Sequence, residues 1–168
     1  MLIRPAIPFD APAIARIHVE TWQAAYRGQI PDALLDGLDV AQRSVTWAER
    51  LQKKSPTTFV AEEEKEIIGF GSLMPCHDNG ADPKQNGDIV ALYVLPKHWR
   101  RGAGRLLTTY AFTAAREAGY SVISLWVLTS NTPSRKFYEA MGFAPDGATK
   151  LENRHGAELH ETRYRRSL

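Results

Sequence analysis

The chain has 168 residues, 43% of them hydrophobic and 24% charged, with a formal net charge of +2 at pH 7. That is enough for one domain with a sizeable core, and too little charge to imply nucleic acid or an anionic membrane surface. One cysteine, Cys76, excludes an internal disulfide framework and suits a reducing compartment. No apolar leader follows Met1 and no stretch is long enough to span a bilayer, so a cytoplasmic protein without membrane or nucleic-acid partners is expected.

Residues 2–6 read as a first strand. Asp10 and Pro12 open a helix whose apolar positions, from Ile14 to Tyr26, recur at helical spacing until Gly28. Shorter helices are expected over 31–38 and 40–54. Residues 57–61 and 67–74 read as a hairpin around the acidic turn 62–66. Residues 77–87, rich in Asn, Asp, Gly and Pro, read as a loop, and 88–94 returns to strand.

From Gly102 to Gly119, Ala103, Leu106, Leu107, Tyr110, Ala111, Ala114 and Ala118 form the stripe of a helix packed on a sheet. Residues 122–128 are nearly continuous apolar residues, as in a buried parallel strand. Strand, helix and strand make one right-handed crossover. Thr132, with Pro133 behind it, is expected to cap a helix ending at Met141-Gly142, and 143–148 and 158–164 to be the last strands. Arg163, Arg165 and Arg166 read as the solvated tail of that final strand. The fold class is α+β, a mixed sheet with helices and one parallel crossover.

Two constellations carry chemistry. The first, Trp99-Arg100-Arg101-Gly102-Ala103-Gly104-Arg105, lies at a strand-to-helix turn. Glycines there expose backbone N–H groups, and a helix start adds unpaired donors and the positive end of a dipole, which together seat a phosphate or pyrophosphate. Leu107 occupies the third glycine position of a dinucleotide fingerprint, and no Gly-Lys-Ser/Thr is present, so both nucleotide alternatives fall. The second is Asn131 to Phe143, directly after the buried strand.

Together they resemble the GCN5-related N-acetyltransferase (GNAT) family. Its first signature, Gln/Arg-x-x-Gly-x-Gly/Ala, is matched by Gly102 and Gly104, with Trp99 where Gln or Arg is usual. Its second, Asn-x-x-Ala-x-x-Phe-Tyr-x-x-x-Gly-Phe, is matched by Asn131, Phe137, Tyr138, Gly142 and Phe143, with Ser134 in place of alanine. Ile3-Arg4, Thr21-Trp22, Tyr26-Arg27-Gly28 and 92–96 extend the likeness over nearly the whole chain.

The resemblance implies a GNAT fold whose mostly antiparallel sheet splays between strands 4 and 5, and an enzyme that passes acetyl from acetyl-CoA to an amine. It places Leu92, Tyr93, Val94 and Asn131 along the pantetheine. Arg100, Arg101, Gly102, Ala103, Gly104 and Arg105 fall at the pyrophosphate. Tyr138 becomes the general acid beside the thioester sulfur, and Asp88, after Gly87, the general base. Trp22 and Tyr26 fall near the amine entrance. Cys76 as an acetyl carrier is rejected in favour of direct transfer, and no metal is expected, since no histidine spacing suits one. The amine, a small molecule or a peptide terminus, is not legible. Members often form dimers, yet no residue pattern here fixes a pairing surface. The alternative reading is a CoA-binding regulatory or interaction module without catalysis.

Overall fold

The structure, a computed structural model, describes residues 1–154 and 157–168. Its strands are β1 (Leu2–Pro5), β2 (Thr57–Glu63), β3 (Glu66–Pro75), β4 (Asn86–Val94), β5 (Val122–Leu128), β6 (Ala144–Arg154) and β7 (Ala157–Ser167). They form one sheet in the order β1-β2-β3-β4-β5-β7-β6, antiparallel except where β4 meets β5. The helices are α1 (Ala11–Tyr26), α2 (Asp32–Asp36), α3 (Val40–Leu51), α4 (Ala103–Glu117) and α5 (Thr132–Ala140). No helix among the described residues is long and apolar enough to cross a membrane.

The apolar patterns explain the layers. In α4, Ala103, Leu107, Ala111 and Ala115 recur every fourth residue and are buried against Phe59, Ile89, Ile123 and Leu125 of the sheet. On the opposite face Ile14 and Ile17 of α1 and Trp47 of α3 close over Val60 and Phe70. Both faces of β2 are therefore buried along its three consecutive apolar residues, Phe59, Val60 and Ala61. A third cluster joins Trp22 of α1, Leu35 of α2, Leu128 of β5 and Leu159 of β7.

Several expectations need correction. Asp10 makes no capping bond to α1; it is 3% exposed, accepts two bonds from Arg4 (2.8 and 3.0 Å) and one from the Ile7 amide, and so ties β1 to the turn before α1. The cap of α5 is Asn131, not Thr132: its side chain accepts from the Ser134 amide at 3.2 Å. Helix α3 stops at Leu51, and β4 starts at Asn86, two residues before the expected start. The last two strands are longer than their apolar patterns indicated, because they pair with each other along polar stretches. Arg163 is no solvated tail. It pairs with Asp78 (2.9 Å) and Asp146 (2.8 Å).

Two irregularities of β4 position everything that follows. Its parallel pairing with β5 runs only from Asn86 opposite Val122 to Ile89 opposite Leu125, then ceases. The register with β3 also steps, from Ile89 opposite Leu73 to Ala91 opposite Ser72, so that Val90 is a bulge. The extra residue swaps faces. Ile89, Leu92 and Val94 all pack toward α4, whereas in an unbroken strand Asp88 would share the face of Leu92. The bulge thus turns Asp88 to the side away from α4.

The buried Arg4–Asp10 pair gives a direct test. Burial raises the Asp10 carboxyl, but Arg4 and the Ile7 amide outweigh it and hold it below the usual aspartate range. A depressed carboxyl contributes stability above its unfolded pKa and loses it as pH falls through the folded value. Asp10→Ala should cost about 2–4 kcal/mol at pH 7 in denaturant unfolding, with the difference from the parent shrinking below about pH 4.

Candidate active site

After Val94 the chain makes a 3-10 turn over Pro96–His98 and enters the basic loop. Arg100 and Gly102 both take positive φ, +59° and +92°, which turns the chain into α4 within three residues. A Cβ at Gly102 would meet open space, so glycine is required there for its backbone angle and not for room. The first helical bond runs from the Leu106 amide to the Gly102 carbonyl, which leaves the preceding amides of the turn without helical partners. Ala103 is buried, and Gly104 lets α4 lie close to Phe137 of α5. Arg100, Arg101 and Arg105 are exposed around this cradle, with Arg101 also near His98 and Glu63. Trp99 donates its indole N–H to the Val94 carbonyl at 2.6 Å, so it braces the loop against β4 instead of reaching an anion.

Past Ile89 the edge of β4 that faces β5 lacks a strand partner. Leu95 donates to Ile68 of β3, so by alternation Tyr93 also turns its backbone to β3, while Leu92 and Val94 turn theirs into the gap. The Val94 carbonyl is already filled by Trp99 and by the Thr21 hydroxyl (3.1 Å). The Tyr93 ring stacks on His18 at 5.1 Å. The gap is therefore lined by the Val94 N–H and by both backbone groups of Leu92.

Helix α5 approaches the gap from the α4 side. Asn131 is buried at its start, where the capping bond fixes its carboxamide. Tyr138 packs edge-on against Phe137 (5.3 Å) and Phe143 (5.9 Å). Burial pushes its phenol above the ordinary tyrosine range, and the Tyr93 phenol adds to the effect.

Asp88 stands at the mouth of the gap on the opposite face. Burial raises its carboxyl to about 6, with the Asp78 charge adding to the rise; a hydrogen bond from Ser124 and the cations Lys150 and Arg163 pull the other way. Next to it Trp126 donates to Asp78 (3.1 Å), with Lys150 over its ring at 4.5 Å and Arg163 at 5.6 Å. Trp22 is 8% exposed, packs with Ile30, Leu35, Leu128 and Leu159, and meets Tyr26 edge-on at 5.1 Å. Its indole N–H is buried without a protein partner among the described residues. Trp22 and Tyr26 thus lie by the end of β5.

A family model described as Acetyltransferase (GNAT) family matches residues 14–143. The chain belongs to the GNAT family. It is 32% identical over 139 residues to YuaI, an uncharacterized N-acetyltransferase of Bacillus subtilis, covering 82% of this chain and 77% of that protein. The fold resembles yncA of Salmonella typhimurium, solved with its cofactor acetyl-CoA (TM-score 0.75, 24% identity, 100% and 94% of the chains covered). It also resembles the PaiA N-acetyltransferase of Thermoplasma acidophilum, solved with coenzyme A (TM-score 0.73, 18% identity, 99% and 98% covered). Both likenesses are of the fold.

Sequence reasoning missed Ser124, Trp126 and Asp78, which surround Asp88. Their separations, 36 residues from Ser124 to Asp88 and 48 from Asp78 to Trp126, left no local pattern. The alternation of Ser124 and Trp126 between Ile123, Leu125 and Val127 was the available signal, masked because the strand is apolar on one face and half-buried on the other.

The α5 cap is separable from any ligand role. Asn131→Ala should lower unfolding stability by about 1 kcal/mol, while Asn131→Asp, which keeps the accepting oxygen, should retain most of it in thermal denaturation.

Proposed function

We propose that this GNAT protein transfers acetyl from acetyl-CoA to a primary amine of a small molecule or peptide, by direct attack in a ternary complex. The observation that carries the reading is the gap itself. Asp88 lies one residue before the β4–β5 pairing ends, on the face away from α4, while Tyr138 packs on the α4 side, near enough to Tyr93 for their phenols to interact.

The residues present fit the cofactor. The amides opening α4, with Arg100, Arg101 and Arg105 around them, suit a pyrophosphate. Leu92 and the Val94 N–H supply the strand edge that a pantetheine amide pairs with, as in β-strand addition. Bound there, acetyl-CoA supplies an activated acyl carbonyl and a thiolate leaving group.

The protein's own groups do the rest. An amine near pKa 10 arrives as an ammonium, without a free lone pair. Asp88 accepts one of its protons, directly or through a water. With its carboxyl near 6, Asp88 is ionised at neutral pH yet basic enough to serve. The freed amine would attack the acyl carbonyl from the Asp88 face; the thioester C–S bond would break, and the second proton shed by the nitrogen would pass to the departing thiolate or to solvent. Tyr138 meets the departing sulfur from the other side. Because burial raises its phenol well above a thiol's pKa of about 8.5, full proton transfer to the sulfur is uphill, and Tyr138 serves as a hydrogen-bond donor to the thiolate. Trp22 and Tyr26, at the end of α1, wall the amine side.

The pH profile and two variants test this. The parent's kcat/KM should fall tenfold per pH unit below about 6. Asp88→Asn should remove that limb and lower turnover by about 10²–10⁴-fold. Tyr138→Phe should lower kcat about tenfold or more with the acetyl-CoA dissociation constant unchanged. Tight CoA binding with no transfer to any of a broad amine panel would instead mark a binding module.

A further inference from the structure

Asp88 rests on a single hydroxyl. Ser124 of β5 is 2% exposed, and its Oγ lies 3.0 Å from Asp88 Oδ1, 3.2 Å from the Gly87 carbonyl and 3.6 Å from Cys76 Sγ. A serine hydroxyl has one proton and two lone pairs, so it donates to one of these acceptors at a time. The shortest contact is the one to the carboxylate. The pairing Asp88–Ser124 is also the last rung but one before the strands separate. Ser124 thus grips Asp88 across the one parallel seam among the described strands, next to the point where the gap opens.

We propose that Ser124 is a positioning residue for acetyl transfer, one that orients Asp88 as a carboxylate and exchanges donor for acceptor when Asp88 takes up the amine's proton. The inference rests on the reading of Asp88 as the base. Before transfer the Ser124 O–H donates to Asp88 Oδ1. One proton then moves from the ammonium to the carboxylate, leaving neutral amine and neutral Asp88. The Ser124 O–H turns to the Gly87 carbonyl, 0.2 Å further away, and a Ser124 lone pair accepts the new Asp88 O–H. No proton is gained or lost by the serine. A purely structural serine needs just the Gly87 bond; contact with a group that changes charge is what sets this one apart.

The surrounding charges are accounted for. Asp78, held by Trp126 and Arg163, opposes ionisation of Asp88; Lys150 and Arg163 favour it. Cys76 is a buried free thiol and shares the Ser124 hydroxyl. Ser124 is the one direct hydrogen-bond donor to Asp88 among the described side chains, and removing it changes no charge. A donor to the charged form favours that form, so its loss must make Asp88 easier to protonate.

The test reads Asp88 itself. In protein carrying 13C-carboxyl aspartate, the Asp88 resonance is identified by its disappearance in Asp88→Asn and titrated without substrates. Ser124→Ala should raise its midpoint from about 6 by roughly half to one unit. The acid limb of kcat/KM should move by the same amount and the high-pH plateau should fall as Asp88 loses its orienting contact, while acetyl-CoA affinity stays within about twofold. Ser124→Cys, with a weaker donor of similar size, should fall between the two, and Ser124→Thr should restore both midpoint and limb. An unmoved Asp88 midpoint in both the Ala and Cys variants overturns the proposal. A moved midpoint with an unmoved limb also overturns the catalytic role. Persistence of the limb in Asp88→Asn identifies a different failure, that of Asp88 as base.

Discussion

The separation of β4 from β5 is the constraint on which the rest of the structure depends. Backbone N–H and C=O groups in the middle of a sheet require partners, and here two adjacent parallel strands stop providing them after Ile89 and Leu125. The gap persists because each strand is secured on its other side. Strand β4 pairs with β3 up to Val94, and β5 pairs with β7 along its full length. Helix α4 closes over the paired ends of both. The result is a wedge with a rigid apex and open edges, which an amide-bearing ligand can complete as a strand would.

Both sides of the wedge are furnished by local devices. The bulge at Val90 sends Asp88 to one face while keeping Leu92 and Val94 on the other. At the far end, Arg100 and Gly102 use left-handed backbone angles to aim the start of α4 back along the gap. Trp99 stands where a side-chain donor is usual in the family, but its indole bonds the Val94 carbonyl. One difference therefore exchanges a side-chain donor for a brace on the loop whose amides remain. That trade keeps the cradle's shape while giving up a charge or a carboxamide.

Much of this was legible in the chain because the elements carry strong periodicity. The α4 stripe, the apolar run of β5 and the glycine turn before α4 pointed to the crossover, and the two motifs pointed to the family. What escaped depended on pairing. Nothing in the polar stretch after Phe143 announces that β6 and β7 run as far as they do, since their partners are each other. Asp10 has the look of a cap for α1, yet its oxygens are taken by the Arg4 guanidinium and by the Ile7 amide ahead of it. The Val90 bulge is invisible because a seven-residue apolar run alternates no differently with or without it. Residues 122–128 read as one buried apolar strand, when the side of β5 that carries Ser124 and Trp126 in fact faces the charged cluster at Asp88.

Charge economy around that cluster gives the site its chemistry. Asp88 is partly buried beside two cations that other acids already engage: Arg163 with Asp78 and Asp146, and Lys150 with Glu161 at 3.1 Å. Pre-paired cations pull weakly on Asp88, so burial dominates and leaves its carboxyl near neutrality. Amide hydrogen exchange, followed as acetyl-CoA is added, tests the occupied gap most directly. The expected result is strong slowing at the amides of Leu92, Val94 and residues 103–105, with none at the outer strand β1. Slowing confined to other elements, with those amides exchanging as before, would contradict the placement of the cofactor between β4 and β5.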